Sequence, residues 1–245
     1  MFSVEERDRV RRHVLDLAAS DARVVAAAAV GGSAGGERDR WSDIDLTFGV
    51  ADGVALDGVL GDWTREVESE LDGIHLFDLP RQASIYRVFL LPGCLQVDLS
   101  FTPASEFGAY TPRFELLFGE AVAKPQLSEP SAHERLGLGV HHAVRARFCL
   151  ERGRLWQAEY WITSMRDEAL ALACRRHGLE TLYGRGRDRL PPDVLAPFED
   201  ALVRSVDAAE LQRALAVGVD CLLREADEAR SLANRVEPRL RELVA

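Results

Sequence analysis

Two aspartates separated by one residue, Asp43 and Asp45, carry the clearest chemical signal in the sequence. Side chains at positions i and i+2 of a β-strand point to the same face, so these carboxylates should project together while Ile44 and Leu46 point into a core. Mg²⁺ prefers oxygen ligands, and it usually takes one or two carboxylates from a protein and fills its remaining positions with water and substrate phosphates. The pair therefore predicts a divalent-cation site. The alternative is that Asp43 caps a turn with Ser42 and that Asp45 forms a surface ion pair.

A glycine-rich segment, VGGSAGG at residues 30–36, lies shortly before these aspartates. Glycine lets the backbone approach a ligand closely, and the N–H groups of such turns can bind phosphate. The segment therefore predicts a phosphate-binding turn. Considered without the aspartates, the glycines would indicate only a flexible turn.

A third carboxylate, Asp98, lies within an apolar run at residues 94–101. Alternation along this run places Gln96 and Asp98 on one face, together with Ser100, and apolar side chains on the other. A carboxylate inside an apolar strand is costly unless it is paired or bound to a metal. Asp98 is therefore a candidate third metal ligand, and a buried acid paired with an arginine is the alternative.

These motifs together resemble the signature of the nucleotidyltransferase superfamily, which includes DNA polymerase β and the small bacterial aminoglycoside and lincosamide nucleotidyltransferases. That signature is an apolar strand, a Gly-Gly or Gly-Ser pair, a spacer, Asp-x-Asp and a carboxylate on a later strand. Here the pair is Gly31-Gly32, or Gly32-Ser33 if the register shifts by one residue. The resemblance covers residues 22–103, less than half of the chain. It departs from the family at Gly35, where many small members carry an arginine.

The resemblance implies a Mg²⁺-dependent enzyme that transfers a nucleoside monophosphate, AMP from ATP in the favoured case, to a hydroxyl of a small-molecule acceptor. Two Mg²⁺ ions would be held by Asp43, Asp45 and Asp98, and ATP or another nucleoside triphosphate would be the co-substrate. An aminoglycoside or lincosamide antibiotic is the expected acceptor. Two alternatives stay open: a non-catalytic nucleotide-binding or regulatory protein of the same fold, and a nucleotidyltransferase that acts on a protein.

The other candidate site residues follow from the same resemblance. Residues 154–160 look like the helix that follows the catalytic domain in the small-molecule enzymes, and this helix offers Glu159. The general base is therefore either Asp98 or Glu159. The expected nucleotide contacts are Gly31, Gly32, Ser33, Ser42 and Arg166.

Composition limits the functional classes. The net charge of −10 argues against a protein that mainly binds nucleic acid, because the phosphate backbone requires a basic surface. No apolar run approaches the roughly 18 residues of a membrane span, and the charged N-terminus does not resemble a signal peptide. A cytoplasmic location is therefore expected, without membrane or nucleic-acid partners. Because dimers occur among the relatives, a homodimer stays open.

Hydrophobic periodicity and turn signals predict two domains. The first, residues 1–127, is expected to be a nucleotidyltransferase catalytic domain of the α/β (α+β) class with a mixed sheet, and it ends in an irregular stretch after Pro103. Its predicted helices lie at 3–20 and 54–72, and its strands at 23–30, 43–50, 74–79, 85–91 and 94–102. The second domain, residues 128–245, is expected to be a helical bundle, with helices at 131–151 and 153–177 and two or three more from about residue 193.

Overall fold

The computed structural model describes residues 1–31, 41–110, 113–125 and 128–245. The chain divides into two compact units, Met1–Ser128 and Glu129–Ala245. The first unit contains a mixed six-stranded sheet with helices, and the second is helical. The predicted fold class is therefore confirmed.

The first unit follows the predicted order of elements as far as the fifth strand. Its helices are α1 (Val4–Ser20) and α2 (Leu56–Leu71), and its strands are β1 (Val24–Val30), β2 (Ile44–Val50), β3 (Ile74–Arg81), β4 (Ser84–Leu91), β5 (Leu95–Pro103) and β6 (Phe114–Phe118). The strands are arranged in the order β3-β4-β5-β2-β1-β6. Strands β2 and β5 are parallel, and the other neighbours are antiparallel.

Strand β6 differs from the sequence-based prediction, which left the region after Pro103 irregular. The structure pairs this strand with β1, with Leu116 opposite Ala28. Only five residues form the strand, and its exposed and half-buried positions do not alternate strictly. A period-2 pattern therefore could not identify it.

One face of the sheet forms the core with α1 and α2. Trp63 of α2 contacts both Phe48 of β2 and Phe101 of β5, at ring-centroid distances of 4.8 and 5.0 Å. Ile44 and Leu46 belong to the same buried cluster, as the alternation predicted. Because side chains alternate along each strand, the residues between these apolar positions point to the opposite face.

The start of α1 was also predicted correctly. The Ser3 hydroxyl accepts a hydrogen bond from the Glu6 N–H at 3.1 Å, and the Glu6 carboxylate accepts one from the Ser3 N–H at 2.7 Å. This reciprocal capping box satisfies backbone donors that have no partner inside the helix. The cap therefore fixes where the first helix begins.

The second unit contains helices α3 (Ala132–Glu151), α4 (Leu155–Arg176), α5 (Pro192–Asp200), α6 (Ala208–Glu225) and α7 (Arg230–Val244). Gly153, in the short α3–α4 connection, has a φ of +65°. The core of the unit includes Leu136, Ile162, Leu215 and Leu222, none of which is exposed. No helix within the described residues is long and apolar enough to cross a membrane.

Candidate active site

The parallel strands β2 and β5 position two of the predicted metal ligands. Asp45 and Asp98 are direct partners in the ladder between these strands. Strand β2 begins at Ile44, so Asp43 lies just before it rather than at its first position. Strand boundaries of this kind vary by a residue. The two-residue spacing therefore still places Asp43 on the same side of the sheet as Asp45. All three aspartates therefore meet at the sheet face that points away from α1 and α2.

The three carboxylates form a compact cluster. Asp43, Asp45 and Asp98 each offer one oxygen atom, these atoms all lie within 4.8 Å of one another, and each residue is half-buried. Carboxylate oxygens are ligands that Mg²⁺ prefers, and partial burial leaves room for water and phosphate in the remaining coordination positions. The donor set therefore fits a divalent cation. The triad is typical of polymerase-β-like nucleotidyltransferases.

Comparisons with known proteins identify several similar solved chains. The crystal structure of an aminoglycoside 6-adenyltransferase from Bacillus subtilis is similar to this chain with a TM-score of 0.41 and 12% sequence identity, over 97% of this chain and 98% of that chain. No protein-family model matches the chain, and no curated protein does.

The environment of Asp98 disfavours its charged form. Burial raises the pKa of the Asp98 carboxyl, and the neighbouring charge of Asp43 raises it further. The Gln96 amide opposes this effect by donating hydrogen bonds of 3.0 and 3.2 Å to the two carboxylate oxygens. A cation bound by the triad would also favour the ionised form, because an opposite charge nearby stabilises a carboxylate.

Gly31, directly after β1, has a backbone conformation that favours glycine. It also lies where a side chain would come too close to Asp45. Its φ is +59°, and a Cβ atom at this position would lie 2.9 Å from Oδ2 of Asp45. The Gly31 N–H donates to the Arg113 carbonyl at 3.3 Å. The observed contribution of Gly31 to the site is therefore the space beside Asp45. Gly32 and Ser33 lie outside the described residues, and Ser42 is half-buried directly before Asp43.

The remaining candidates belong to α4 in the second unit. The Thr163 hydroxyl donates to Oε1 of Glu159 at 2.8 Å, and the Arg166 guanidinium donates to the same hydroxyl at 3.4 Å. The spacing of four and then three residues places all three on one face of the helix. Thr163 therefore links the candidate base to the candidate nucleotide-binding arginine, a connection to which sequence reasoning assigned no role.

Gln96 is a second residue whose role the sequence did not assign. Its position two residues before Asp98 on a strand placed both side chains on one face, and that spacing was the available signal. The structure shows the amide hydrogen-bonded to the carboxylate. Gln96 therefore orients the third carboxylate of the cluster.

Proposed function

We propose that this protein is a Mg²⁺-dependent nucleotidyltransferase that transfers AMP from ATP to a hydroxyl of a small-molecule acceptor and releases pyrophosphate. The observation that supports this proposal is the convergence of Asp43, Asp45 and Asp98 within 4.8 Å. The close approach of Gly31 to Asp45 adds to it, because a side chain there would displace a ligand. The first unit is then the catalytic domain, and the second is the helical domain that follows it.

The three aspartates would hold two Mg²⁺ ions. When bound, such ions neutralise and align the phosphates for in-line displacement at phosphorus. Asp43 and Asp45 keep their carboxylates on the same side of β2, and they would bind the ion that accompanies the triphosphate. Asp98, which accepts hydrogen bonds from Gln96, would complete the second ion site.

The transfer forms one bond and breaks another at the α-phosphorus. The acceptor hydroxyl oxygen bonds to this atom, the bond to the β-phosphate breaks, and pyrophosphate leaves. Asp98 is the first candidate to accept the hydroxyl proton, because its carboxylate belongs to the cluster at which the reaction would occur and a bound cation would keep it ionised. Glu159, oriented by Thr163, is the second candidate.

The nucleotide contacts are proposed at the glycine turn and beside the aspartates. Gly31, Gly32 and Ser33 would face the β- and γ-phosphates, and Ser42 would lie next to the bound ion. Arg166 would contribute a guanidinium, which suits phosphate because it presents several N–H donors in a planar group.

A label-transfer experiment tests the proposal. ATP labelled at the α-phosphate is incubated with Mg²⁺ and a panel of aminoglycosides and lincosamides, and a parallel reaction contains ATP labelled at the γ-phosphate. We expect the α-label on an acceptor and the γ-label in pyrophosphate. Asp45→Asn should abolish transfer without unfolding the chain, whereas the control Asp57→Asn, at an exposed position of α2, should be fully active. Equal activity of Asp45→Asn would contradict the proposal.

A further inference from the structure

Gln96 and Asp98 lie on one face of β5, and a single nitrogen atom links their side chains. Nε2 of Gln96 donates hydrogen bonds to both carboxylate oxygens of Asp98, at 3.0 Å to Oδ1 and 3.2 Å to Oδ2. A nitrogen that makes hydrogen bonds of nearly equal length to both oxygens lies in front of the carboxylate, between these two atoms. Gln96 therefore occupies the position that a metal ion chelated by Asp98 would need.

This position separates two ways in which a carboxylate can bind a metal ion. A bidentate carboxylate holds the ion between its two oxygens, whereas a monodentate carboxylate uses a lone pair of one oxygen. An ionised carboxylate has about four lone-pair sites, so the two that face Gln96 leave another on each oxygen. Asp98 can therefore bind an ion through one oxygen while its hydrogen bonds to Gln96 stay intact.

The arrangement of the cluster agrees with monodentate binding. Asp43, Asp45 and Asp98 come within 4.8 Å of one another when each contributes one oxygen atom. Asp45 is the ladder partner of Asp98 on one side, and the buried Val88 is its partner on the other. The apolar side chain of Val88 cannot donate a hydrogen bond to the carboxylate. The restraint on Asp98 therefore comes from its own strand, through Gln96.

Mg²⁺ and Ca²⁺ differ in the binding mode that they favour. Mg²⁺ is small and requires nearly octahedral coordination, whereas Ca²⁺ takes roughly six to eight oxygen ligands at longer distances and often uses bidentate carboxylates. Ca²⁺ would gain a ligand atom if Asp98 chelated it, but it would first have to displace the Gln96 amide. Hydrogen bonds to charged groups are among the stronger ones in proteins, so this displacement is unfavourable.

We propose that Gln96 is a positioning residue that makes the carboxylate cluster select Mg²⁺ over Ca²⁺. Its amide occupies the chelating position of Asp98 and leaves monodentate binding, which suits the smaller ion. The inference rests on the metal site of the nucleotidyltransferase function proposed above. It adds that discrimination between the two cations depends on a residue that is not itself a ligand.

The test measures the affinity of the full-length protein for cations without nucleotide, because ATP itself binds these ions. EPR spectroscopy distinguishes free from bound Mn²⁺, and Mg²⁺ or Ca²⁺ is then added to displace the bound Mn²⁺. The test variant is Gln96→Met, which approximately keeps the length of the side chain and removes the amide. Gln212→Met, at an exposed position of α6, is the matched control. Asp45→Asn identifies the Mn²⁺ that is bound at the cluster.

We expect Gln96→Met to change the affinities for the two ions in opposite directions. Ca²⁺ should bind about tenfold more tightly, because it no longer has to displace a hydrogen-bonded amide. Mg²⁺ should bind about tenfold more weakly, because loss of a group that orients a metal ligand commonly costs at least that factor. Gln212→Met should keep the wild-type ratio of affinities, and Asp45→Asn should lose the bound Mn²⁺.

Three results would overturn the inference. The first is an unchanged ratio of Mg²⁺ and Ca²⁺ affinities in Gln96→Met. The second is a parallel loss of affinity for both ions, because Gln96 would then support the site without selecting between cations. The third is a wild type that binds Ca²⁺ as tightly as Mg²⁺, or that binds no Mn²⁺ at the cluster.

Failure of the inference can be distinguished from failure of the proposed function. Label transfer and the thermal shift with Mg²⁺ and ATP test the function, and neither depends on how the cluster binds Ca²⁺. Normal transfer together with an unchanged affinity ratio would overturn the role of Gln96 alone. The expected change of the ratio, without a nucleotide shift or label transfer in the wild type, would overturn the nucleotidyltransferase and leave a selective cation site.

Discussion

Asp45 and Asp98 are direct partners in the parallel ladder between β2 and β5, and both point away from the core formed with α1 and α2. Adjacent strands are about 4.8 Å apart, so this register alone brings the two carboxylates within reach of a shared cation. Asp43 joins them through its two-residue spacing from Asp45. A cluster of this kind is electrostatically unfavourable without a cation, and it therefore indicates function rather than stability.

Gly31→Ala is expected to impair catalysis more than folding. The positive φ strains any residue with a Cβ by about 1 kcal/mol, and the added atom would lie 2.9 Å from Oδ2 of Asp45 and displace it. A shift of this kind can lower the transfer rate by about 10²-fold. Thermal denaturation measures the loss of stability, and label transfer measures the loss of catalytic rate.

The matched control for this variant is Gly153→Ala. Gly153 has a similar φ of +65°, but a Cβ atom there would meet no atom within 4 Å. It should lose a similar amount of stability and retain full activity. Equal rates for the two alanine variants would show that the space beside Asp45 is unimportant.

Glu159→Gln is the variant that tests the second candidate base, because Asp98→Asn removes a proposed metal ligand together with the first candidate base. Loss of a general base lowers kcat by about 10²- to 10⁴-fold, and we expect that loss for Asp98→Asn, whereas Glu159→Gln should lose less than about tenfold. Without ligand, Asp98→Asn should also raise the melting temperature, because it removes a charge whose burial is unfavourable. The opposite order of kcat values would assign proton transfer to Glu159.

The sequence was sufficient to predict that Asp43 and Asp45 project together, because alternation along a strand depends only on spacing. The place of Asp98 beside them was an expectation from the resemblance, since it depends on the pairing of β2 and β5. The sequence could not show that Gly31 approaches Asp45, since this distance depends on how β1 and β2 pair. The sequence also could not show on which face of the sheet Phe77 lies, because the β3–β4 register shifts between His75 and Phe77. A one-residue shift of this kind reverses which side chains face the site, and no local pattern reports it.

Asp21 is expected to make stability depend on acidic pH. Hydrogen bonds from the Arg23 guanidinium lower the pKa of the Asp21 carboxyl to about 2, and the Trp63 indole N–H contributes through a 2.9 Å bond. Because the folded-state pKa lies below the usual value near 4, the stabilisation is complete above about pH 4. It is lost as the pH falls from about 4 to 2. At pH 7, Asp21→Asn should lower the free energy of unfolding by about 2 kcal/mol.

Asp62→Asn is the control, because Asp62 also pairs with Arg23 but its side chain is 46% exposed. A surface pair of this kind contributes at most about 1 kcal/mol. Urea denaturation at pH 7 and pH 2.5 measures both variants. If Asp21→Asn lowered the free energy of unfolding as much at pH 2.5 as at pH 7, the assignment of the pH dependence to Asp21 would be contradicted.

The most direct test of the nucleotide-binding site is the thermal shift of the wild type with Mg²⁺ and ATP, compared with Asp43→Asn/Asp45→Asn. Ligand at about one hundred times its dissociation constant stabilises a protein by roughly 2.7 kcal/mol, which raises the melting temperature by several degrees. The account predicts a shift that requires both Mg²⁺ and ATP and that disappears in the double variant. An unchanged shift in the double variant, or no shift of the wild type with any of the four nucleoside triphosphates, would contradict it.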